Sequence, residues 1–124
     1  RMNALWNCKN TFQGNSLKVL TVCSAGLLRS PSVAKYLMLH KGYNCRPVGV
    51  HDYALIQIDD VLIEWADVVV FMQEEHKSAV QRRRKLRTNL QQKRCVVLNI
   101  PDNFEYCDEE LMKIIENEVE EYDL

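Results

Sequence analysis

The chain has 124 residues, of which 47% are hydrophobic, and a formal net charge of −1 at pH 7. This length suffices for one domain with a buried core, and the balanced charge excludes a strong overall attraction to nucleic acid or membrane surfaces. No apolar run approaches the roughly 20 residues of a membrane-spanning helix, and the N-terminus lacks the apolar segment of a secretory signal. We predict an N-terminal extension over residues 1–16 and a single cytoplasmic domain over residues 17–124.

The predicted elements begin with a short strand and a well-delimited helix. Leu17–Val22 is apolar and rich in β-branched residues, which predicts a buried strand. Ser30 as N-cap, Pro31 in the first turn and Gly42 at the end then delimit a helix. The chain therefore starts with a strand followed directly by a helix.

The later elements repeat this alternation. They are a weak edge strand over Cys45–Val50, a helix over Ala54–Ala66, a strand over Val68–Met72, a charged helix over residues 74–92, a strand over Cys95–Ile100 and a final helix capped by Asp108. Strands that alternate with helices imply parallel pairing with right-handed crossovers. We predict a three-layer α/β/α fold with a four-stranded parallel sheet and a ligand site at the carboxyl ends of the strands.

The five cysteines are scattered without a CxxC pair, and the three histidines show no metal-ligand spacing with them. A disulfide framework and a structural zinc site are therefore not expected, and such a pattern is typical of a reducing cytoplasm. We predict no metal and no other cofactor, and we assign the histidines no catalytic role.

The segment after the first strand reads CSAGLLRS, Cys23 to Ser30. Backbone N–H groups in such a turn and the following helix N-terminus bind phosphate-like anions, and the same dipoles favour a thiolate. Arg29 offers parallel donors to an oxyanion, and the Ser30 hydroxyl can donate to the cysteine sulfur. We predict Cys23 as a nucleophile in a loop that holds inorganic phosphate or sulfate. The predicted phosphate-binding residues are Ser24, Ala25, Gly26, Leu27, Leu28, Arg29 and Ser30.

VCSAGLLRSPSVAKYL resembles the signature of the low-molecular-weight protein tyrosine phosphatase family, which has Cys-x5-Arg-Ser/Thr after the first strand. EWADVVVFM and NIPDNFEYCDEEL resemble later segments of its short bacterial and phage branch. The resemblance implies phosphotyrosine hydrolysis in a protein substrate through a phosphocysteine intermediate, with Cys23, Arg29 and Asp102 as catalytic residues. The chain departs from the family pattern at Gly26, where Asn is usual, and at Leu28, where many members have a second cysteine.

The proton donor is expected in IPDNFEYCDEE. The resemblance places this role on Asp102, and its position just after a strand end agrees, whereas Asp108 suits a helix cap. Three aromatic residues are predicted as walls of the substrate cleft, with simple packing as the alternative: Tyr53, Phe104 and Tyr106.

Other interpretations of the sequence stay open. One alternative is a phosphatase whose substrate is a nucleotide or RNA phosphate, and another is a loop that binds phosphate without catalysis. Arsenate reduction is less favoured because it needs resolving cysteines, and none lies between Tyr53 and Arg94. Residues 77–94 hold eight of the sixteen lysines and arginines. A solvated helix face is the favoured explanation; attraction of an acidic phosphoprotein or of RNA is the alternative, and nucleic acid is not the favoured partner.

Overall fold

The computed structural model describes residues 17–24, 29–54, 56–101 and 108–124. In chain order its elements are β1 (Lys18–Cys23), α1 (Arg29–Lys41), β2 (Asn44–Gly49), α2 (Asp60–Trp65), β3 (Val68–Phe71), α3 (Glu74–Gln81), α4 (Arg84–Leu90), β4 (Arg94–Val97) and α5 (Glu109–Glu121). The predicted α/β class with four parallel strands is confirmed. Among the described helices, none is long and apolar enough to cross a bilayer.

The sheet has the strand order β2-β1-β3-β4, and all neighbouring strands are parallel. β1 is therefore central: Val22 lies opposite Val48 of β2 on one side and Phe71 of β3 on the other. β2 is an edge strand, as its proline predicts, because Pro47 has no N–H to donate to a second neighbour. The carboxyl end of β1 consequently lies in the middle of one edge of the sheet.

Alternate residues of β1 face two separate layers of helices. Val19 and Cys23 belong to the core that the sheet forms with α1 and α5, whereas Leu20 and Val22 belong to the core formed with α2, α3 and α4. The buried helix residues on the first face include Val33, Leu37, Leu111, Ile115 and Val119; those on the second include Leu62, Ile63, Val80, Leu86 and Leu90. This is the three-layer arrangement expected for a parallel sheet.

The helix predicted over Ala54–Ala66 is wrong in its first half, since α2 begins only at Asp60. Asp59 forms the N-cap, and its Oδ1 accepts a hydrogen bond of 2.8 Å from the N–H of Leu62. Before it, Gln57 forms a parallel bridge with Gly49. The apolar residues of this stretch therefore belong partly to an extended segment that prolongs the sheet edge.

The charged helix predicted over residues 74–92 is two helices, α3 and α4. Arg83 separates them with an extended backbone, φ −93° and ψ 108°. Its guanidinium donates a 2.9 Å hydrogen bond to the carbonyl oxygen of Val50. An unbroken helix would also have stacked cationic side chains at helical spacing along one face, which is unfavourable.

β4 ends at Val97, three residues before the predicted end of the strand. Asn99 has a φ of 56°, a left-handed backbone that interrupts the ladder. The segment still follows β3, because the N–H groups of Leu98 and Ile100 donate to the carbonyl oxygens of Phe71 and Met72 at 2.9 and 2.7 Å. The carbonyl of Ile100 is thereby brought to the carboxyl edge of the sheet.

Candidate active site

Cys23 is the last residue of the central strand and is only 4% exposed. Pairing with the β2 segment continues beyond it: the N–H groups of Val50 and His51 donate to the carbonyl oxygens of Cys23 and Ser24, each at 3.0 Å. Ligands of open parallel sheets bind at this edge. The backbone on both sides of the Cys23 side chain is thus held before the loop begins.

Ser30 lies in the first turn of α1, and its Oγ is 3.2 Å from the sulfur of Cys23. It does not stand before the helix as the predicted N-cap, since α1 already begins at Arg29. The carbonyl of Ser30 accepts a 2.9 Å hydrogen bond from Thr21 Oγ1 in β1. This bond fixes the first turn of the helix against the strand that bears the cysteine.

The hydroxyl of Ser30 is also 3.4 Å from the carbonyl oxygen of Val48. A hydroxyl has one hydrogen, so it donates either to this carbonyl or to the sulfur. A thiolate can only accept, so an ionised Cys23 would receive the hydroxyl hydrogen of Ser30. The arrangement suits a negatively charged sulfur.

Arg29 is 2% exposed, and its Nη1 donates to Gln73 Oε1 at 2.6 Å and to the carbonyl oxygen of Ile100 at 2.9 Å. These two bonds use both hydrogens of Nη1 and tie the guanidinium to the start of α3 and to the chain beyond β4. The other edge of the guanidinium carries Nε and Nη2, a parallel pair of donors whose geometry matches an oxyanion.

His76, for which the sequence predicts no catalytic role, is a buried residue of this edge. Its Nε2 is 3.0 Å from Ser24 Oγ, and its Nδ1 accepts a 3.1 Å hydrogen bond from the N–H of Gln73. Because Nδ1 is an acceptor, the neutral ring carries its hydrogen on Nε2 and donates it to the serine hydroxyl. The signal that could have revealed it is a histidine at the third position of a helix, where side chains bond the capping backbone.

The first turn of α3 thus contacts both ends of the loop. Gln73 holds Arg29 after the loop, and His76 holds Ser24 before it. The hydrogen bond from the Gln73 N–H to the His76 ring connects the two contacts. The first turn of α3, which directly follows β3, therefore sets the distance between the two ends of the loop.

The remaining predicted site residues fall into two groups. Tyr53 is 69% exposed and stacks on His51, with ring centroids 4.9 Å apart and planes inclined by 9°. The others lie outside the described residues, and their roles stay predictions: Ala25, Gly26, Leu27, Leu28, Asp102, Phe104 and Tyr106.

An open cleft of about 390 Å³ borders this edge of the sheet. Its lining residues are Gln73, Glu74, Glu75, Asn99 and Pro101. Gln73 also binds Arg29, so the cleft adjoins the guanidinium. Within the described ranges, no group of three or more His, Cys, Asp or Glu residues is placed to hold a metal ion.

Solved structures share this architecture. Wzb from Vibrio vulnificus in complex with benzylphosphonate aligns over 87% of this chain and 97% of its own at 14% identity, with a TM-score of 0.65. The tyrosine phosphatase Wzb from Escherichia coli K30 in complex with phosphate aligns over 85% and 94% at 15% identity, with a TM-score of 0.64. The YwlE arginine phosphatase from Geobacillus stearothermophilus aligns over 86% and 93% at 19% identity, with a TM-score of 0.62.

No protein-family model and no curated protein matches the sequence. The structural likeness, at such low identity, bears on the fold. It agrees with the resemblance carried by the CSAGLLRS segment, which the sequence places after the first of four parallel strands. The chain has the fold of the low-molecular-weight protein tyrosine phosphatases.

Proposed function

We propose that the chain is a cysteine-dependent phosphatase that hydrolyses phosphate monoesters, with phosphotyrosine in protein as its substrate. The observation that carries this proposal is the 3.2 Å approach of Cys23 Sγ to Ser30 Oγ at the N-terminus of a 13-residue helix. A helix N-terminus and a hydroxyl donor both favour an anionic sulfur, and the same site attracts phosphate.

The proposed reaction has two displacements at phosphorus. The Cys23 thiolate attacks the phosphorus atom, the bond to the ester oxygen breaks, and the Asp102 carboxyl gives that oxygen its proton. The Asp102 carboxylate then takes a proton from water, whose oxygen displaces the sulfur and releases inorganic phosphate. The thiolate and the protonated carboxyl are regenerated, so one acid serves both steps.

Arg29 stabilises the negative charge of the transferring phosphoryl group in this scheme. Two of its donors are occupied by Gln73 and Ile100, so the guanidinium is already oriented before substrate arrives. A donor held in place needs no reorganisation during the reaction, which is the main way proteins stabilise phosphoryl transfer.

The choice of phosphotyrosine rests on the exposed Tyr53 and on the CSAGLLRS resemblance. Tyr53 and His51 offer a stacked aromatic surface next to the loop, suited to a substrate ring. Solved structures of this fold include proteins described as a tyrosine and as an arginine phosphatase. Phosphoarginine, and the nucleotide and RNA phosphates that the sequence left open, are therefore the competing substrates.

The decisive experiment compares turnover of a phosphotyrosine peptide, an aryl phosphate, phosphoarginine and a nucleotide monophosphate by the purified chain. We expect the first two to be hydrolysed and Cys23→Ser to lower kcat/KM by at least about 10³-fold, because the nucleophile is removed. Cys95→Ser is the matched control and keeps full activity. Phosphate binding without turnover would identify a binding module, and faster hydrolysis of the nucleotide would reassign the substrate.

Asp102→Asn tests the proton donor separately. We expect a loss of about 10²-fold for esters with poor leaving groups and little loss in the first step for esters whose leaving group needs no proton. Rates are compared across a series of aryl phosphates of increasing leaving-group basicity. An equal loss for all esters would remove Asp102 from this role.

A further inference from the structure

The turn between α3 and α4 brings three consecutive arginines, Arg82 to Arg84, to the rim of the candidate active site. Arg83 Nη2 donates to the carbonyl oxygen of Val50 at 2.9 Å, and the N–H of Val50 donates to the carbonyl oxygen of Cys23 at 3.0 Å. With standard bond lengths, this path limits the separation of the Arg83 guanidinium from the Cys23 carbonyl to about 10 Å.

The charges of these arginines are available to a ligand. All three side chains are exposed. In the part of the chain that the structure describes, none of them takes part in an ion pair, whereas the adjacent Lys85 pairs with Asp60 at 3.2 Å. The surrounding stretch, residues 77–94, contains eight lysines and arginines and no acidic residue. The three arginines consequently form a local patch of positive charge at the α3–α4 turn.

The densest run of negative charge lies on the other side of the sheet. Residues 108–124 contain eight acidic residues and one lysine. α5 packs in the core on the α1 face, and α3 and α4 pack in the core on the opposite face. The overall charge of −1 therefore conceals a local excess of positive charge at the α3–α4 turn, because the acidic residues of α5 lie beyond the sheet.

We propose that Arg82, Arg83 and Arg84 form a specificity surface that binds acidic residues flanking the phosphorylated residue of a substrate protein. This inference rests on the proposed phosphatase function. An extended peptide advances about 3.3 Å per residue, so acidic residues within about three positions of the phosphorylated one stay within about 10 Å of it and are the candidates for contact with this surface. A short acidic flank fits this surface better than RNA does, because Glu74 and Glu75 line the adjoining cleft and repel an extended polyanion.

The test uses two phosphopeptides that differ only in the residues two to four positions from the phosphorylated one, acidic in one and neutral in the other. A small aryl phosphate is the third substrate. The rim variant is Arg82→Gln with Arg84→Gln, which leaves the Arg83 bond to Val50 intact. The control variant, Arg87→Gln with Lys93→Gln, removes the same charge from the same face but away from the turn.

We expect the rim variant to raise KM for the acidic peptide by about fivefold, the combined effect of two exposed charge pairs, with kcat unchanged. KM for the neutral peptide and for the aryl phosphate stays the same, and the control variant behaves as wild type. Salt should reduce the preference for the acidic peptide in wild type and have less effect in the rim variant.

Equal KM changes for both peptides, or equal effects of the two double variants, would overturn the proposal. A terminally phosphorylated single-stranded RNA with a lower KM than the acidic peptide, lost in the rim variant, would assign the surface to nucleic acid. If wild type hydrolyses none of the esters, the phosphatase proposal fails separately. Affinities of the two peptides, measured by fluorescence anisotropy, then decide the role of the arginines.

Discussion

Cys23 and Cys95 lie at opposite ends of the sheet, and their surroundings have opposite polarity. Cys95 Sγ is 3.9 and 3.6 Å from the carbonyl oxygens of Leu90 and Lys93, two acceptors that bind a thiol but repel a thiolate. Burial raises the pKa of Cys95, and the charge of Lys77 only partly opposes this shift. Cys23 instead approaches the hydroxyl of Ser30 at the start of α1.

The reactivity of a cysteine therefore depends on whether donors or acceptors face its sulfur. Both residues are in strands of one sheet; Cys23 is buried in its hydrophobic core, and the partly buried Cys95 packs against the core on the other face. At the carboxyl edge the hydroxyl of Ser30, in the first turn of α1, faces the thiol, whereas at the start of β4 the preceding turn presents carbonyls. Parallel topology thus makes one end of the sheet suited to a nucleophile and the other end unsuited.

The largest expected effect is a difference in alkylation rate between the two cysteines. At neutral pH we expect iodoacetate to modify Cys23 at least about 10²-fold faster than Cys95, because the thiolate is the reactive form and the reagent is an anion. Mass spectrometry of peptides from a quenched time course measures both rates in one sample.

Inorganic phosphate provides the control for this comparison. It should slow modification of Cys23, whose loop it occupies, and leave Cys95 unaffected. Equal rates for the two thiols, or protection of both, would show that the surroundings of Cys23 do not activate it.

A smaller effect is expected from two variants of His76, each of which keeps only one of its two hydrogen bonds. In His76→Gln the amide can occupy the place of Nε2 and bind Ser24, whereas in His76→Asn it can replace Nδ1 and accept from the N–H of Gln73. We expect the Asn variant to lose about threefold to tenfold in kcat and the Gln variant to keep it, since one hydrogen bond positions the loop.

Thermal stability should show the reverse order. The Gln variant should be less stable than the Asn variant, because it loses the hydrogen bond from the N–H of Gln73 at the start of α3. Steady-state kinetics and thermal melts of both variants measure the two properties. If the variant with the lower melting temperature also has the lower kcat, His76 serves only the fold and does not position Ser24.

The smallest effect concerns a contact remote from both cysteines. The hydrogen bond from Lys85 holds the pKa of Asp60 below its usual value. Folding is therefore favoured above the ordinary pKa of this carboxyl, and the contribution is lost as pH falls through the lowered value. We expect Lys85→Gln to raise the Asp60 pKa in an NMR titration, with Arg87→Gln as the control that leaves it unchanged. An unchanged titration in Lys85→Gln would contradict the pairing.

The sequence was sufficient for the fold because its signals are local. β-branched runs predict β1 and β3, Gly42 ends α1 with a φ of 71°, and Asp108 caps α5 through bonds to the N–H groups of Glu110 and Leu111. Cys23, Arg29 and Ser30 are also close in the sequence, where β1 ends and α1 begins. They could therefore be placed at the carboxyl edge of the sheet.

The supports of the site could not be predicted in this way. Gln73 is 44 residues from Arg29, and His76 is 52 residues from Ser24, so no sequence pattern links the partners. The division of the helix at Arg83 likewise depends on the carbonyl of Val50, 33 residues away. Such contacts exist only after the sheet has brought distant segments together.

The anchoring of Arg29 to Ile100 spans 71 residues and has a consequence for biosynthesis. A ribosome that has produced the first two-thirds of the chain has already made the cysteine and the arginine, but not the carbonyl that orients the guanidinium. The Arg29 guanidinium should therefore become oriented late in synthesis, when the segment that follows β4 has left the exit tunnel and docked on the sheet. In nascent polypeptides shorter than this, the guanidinium would lack the Ile100 carbonyl that anchors it.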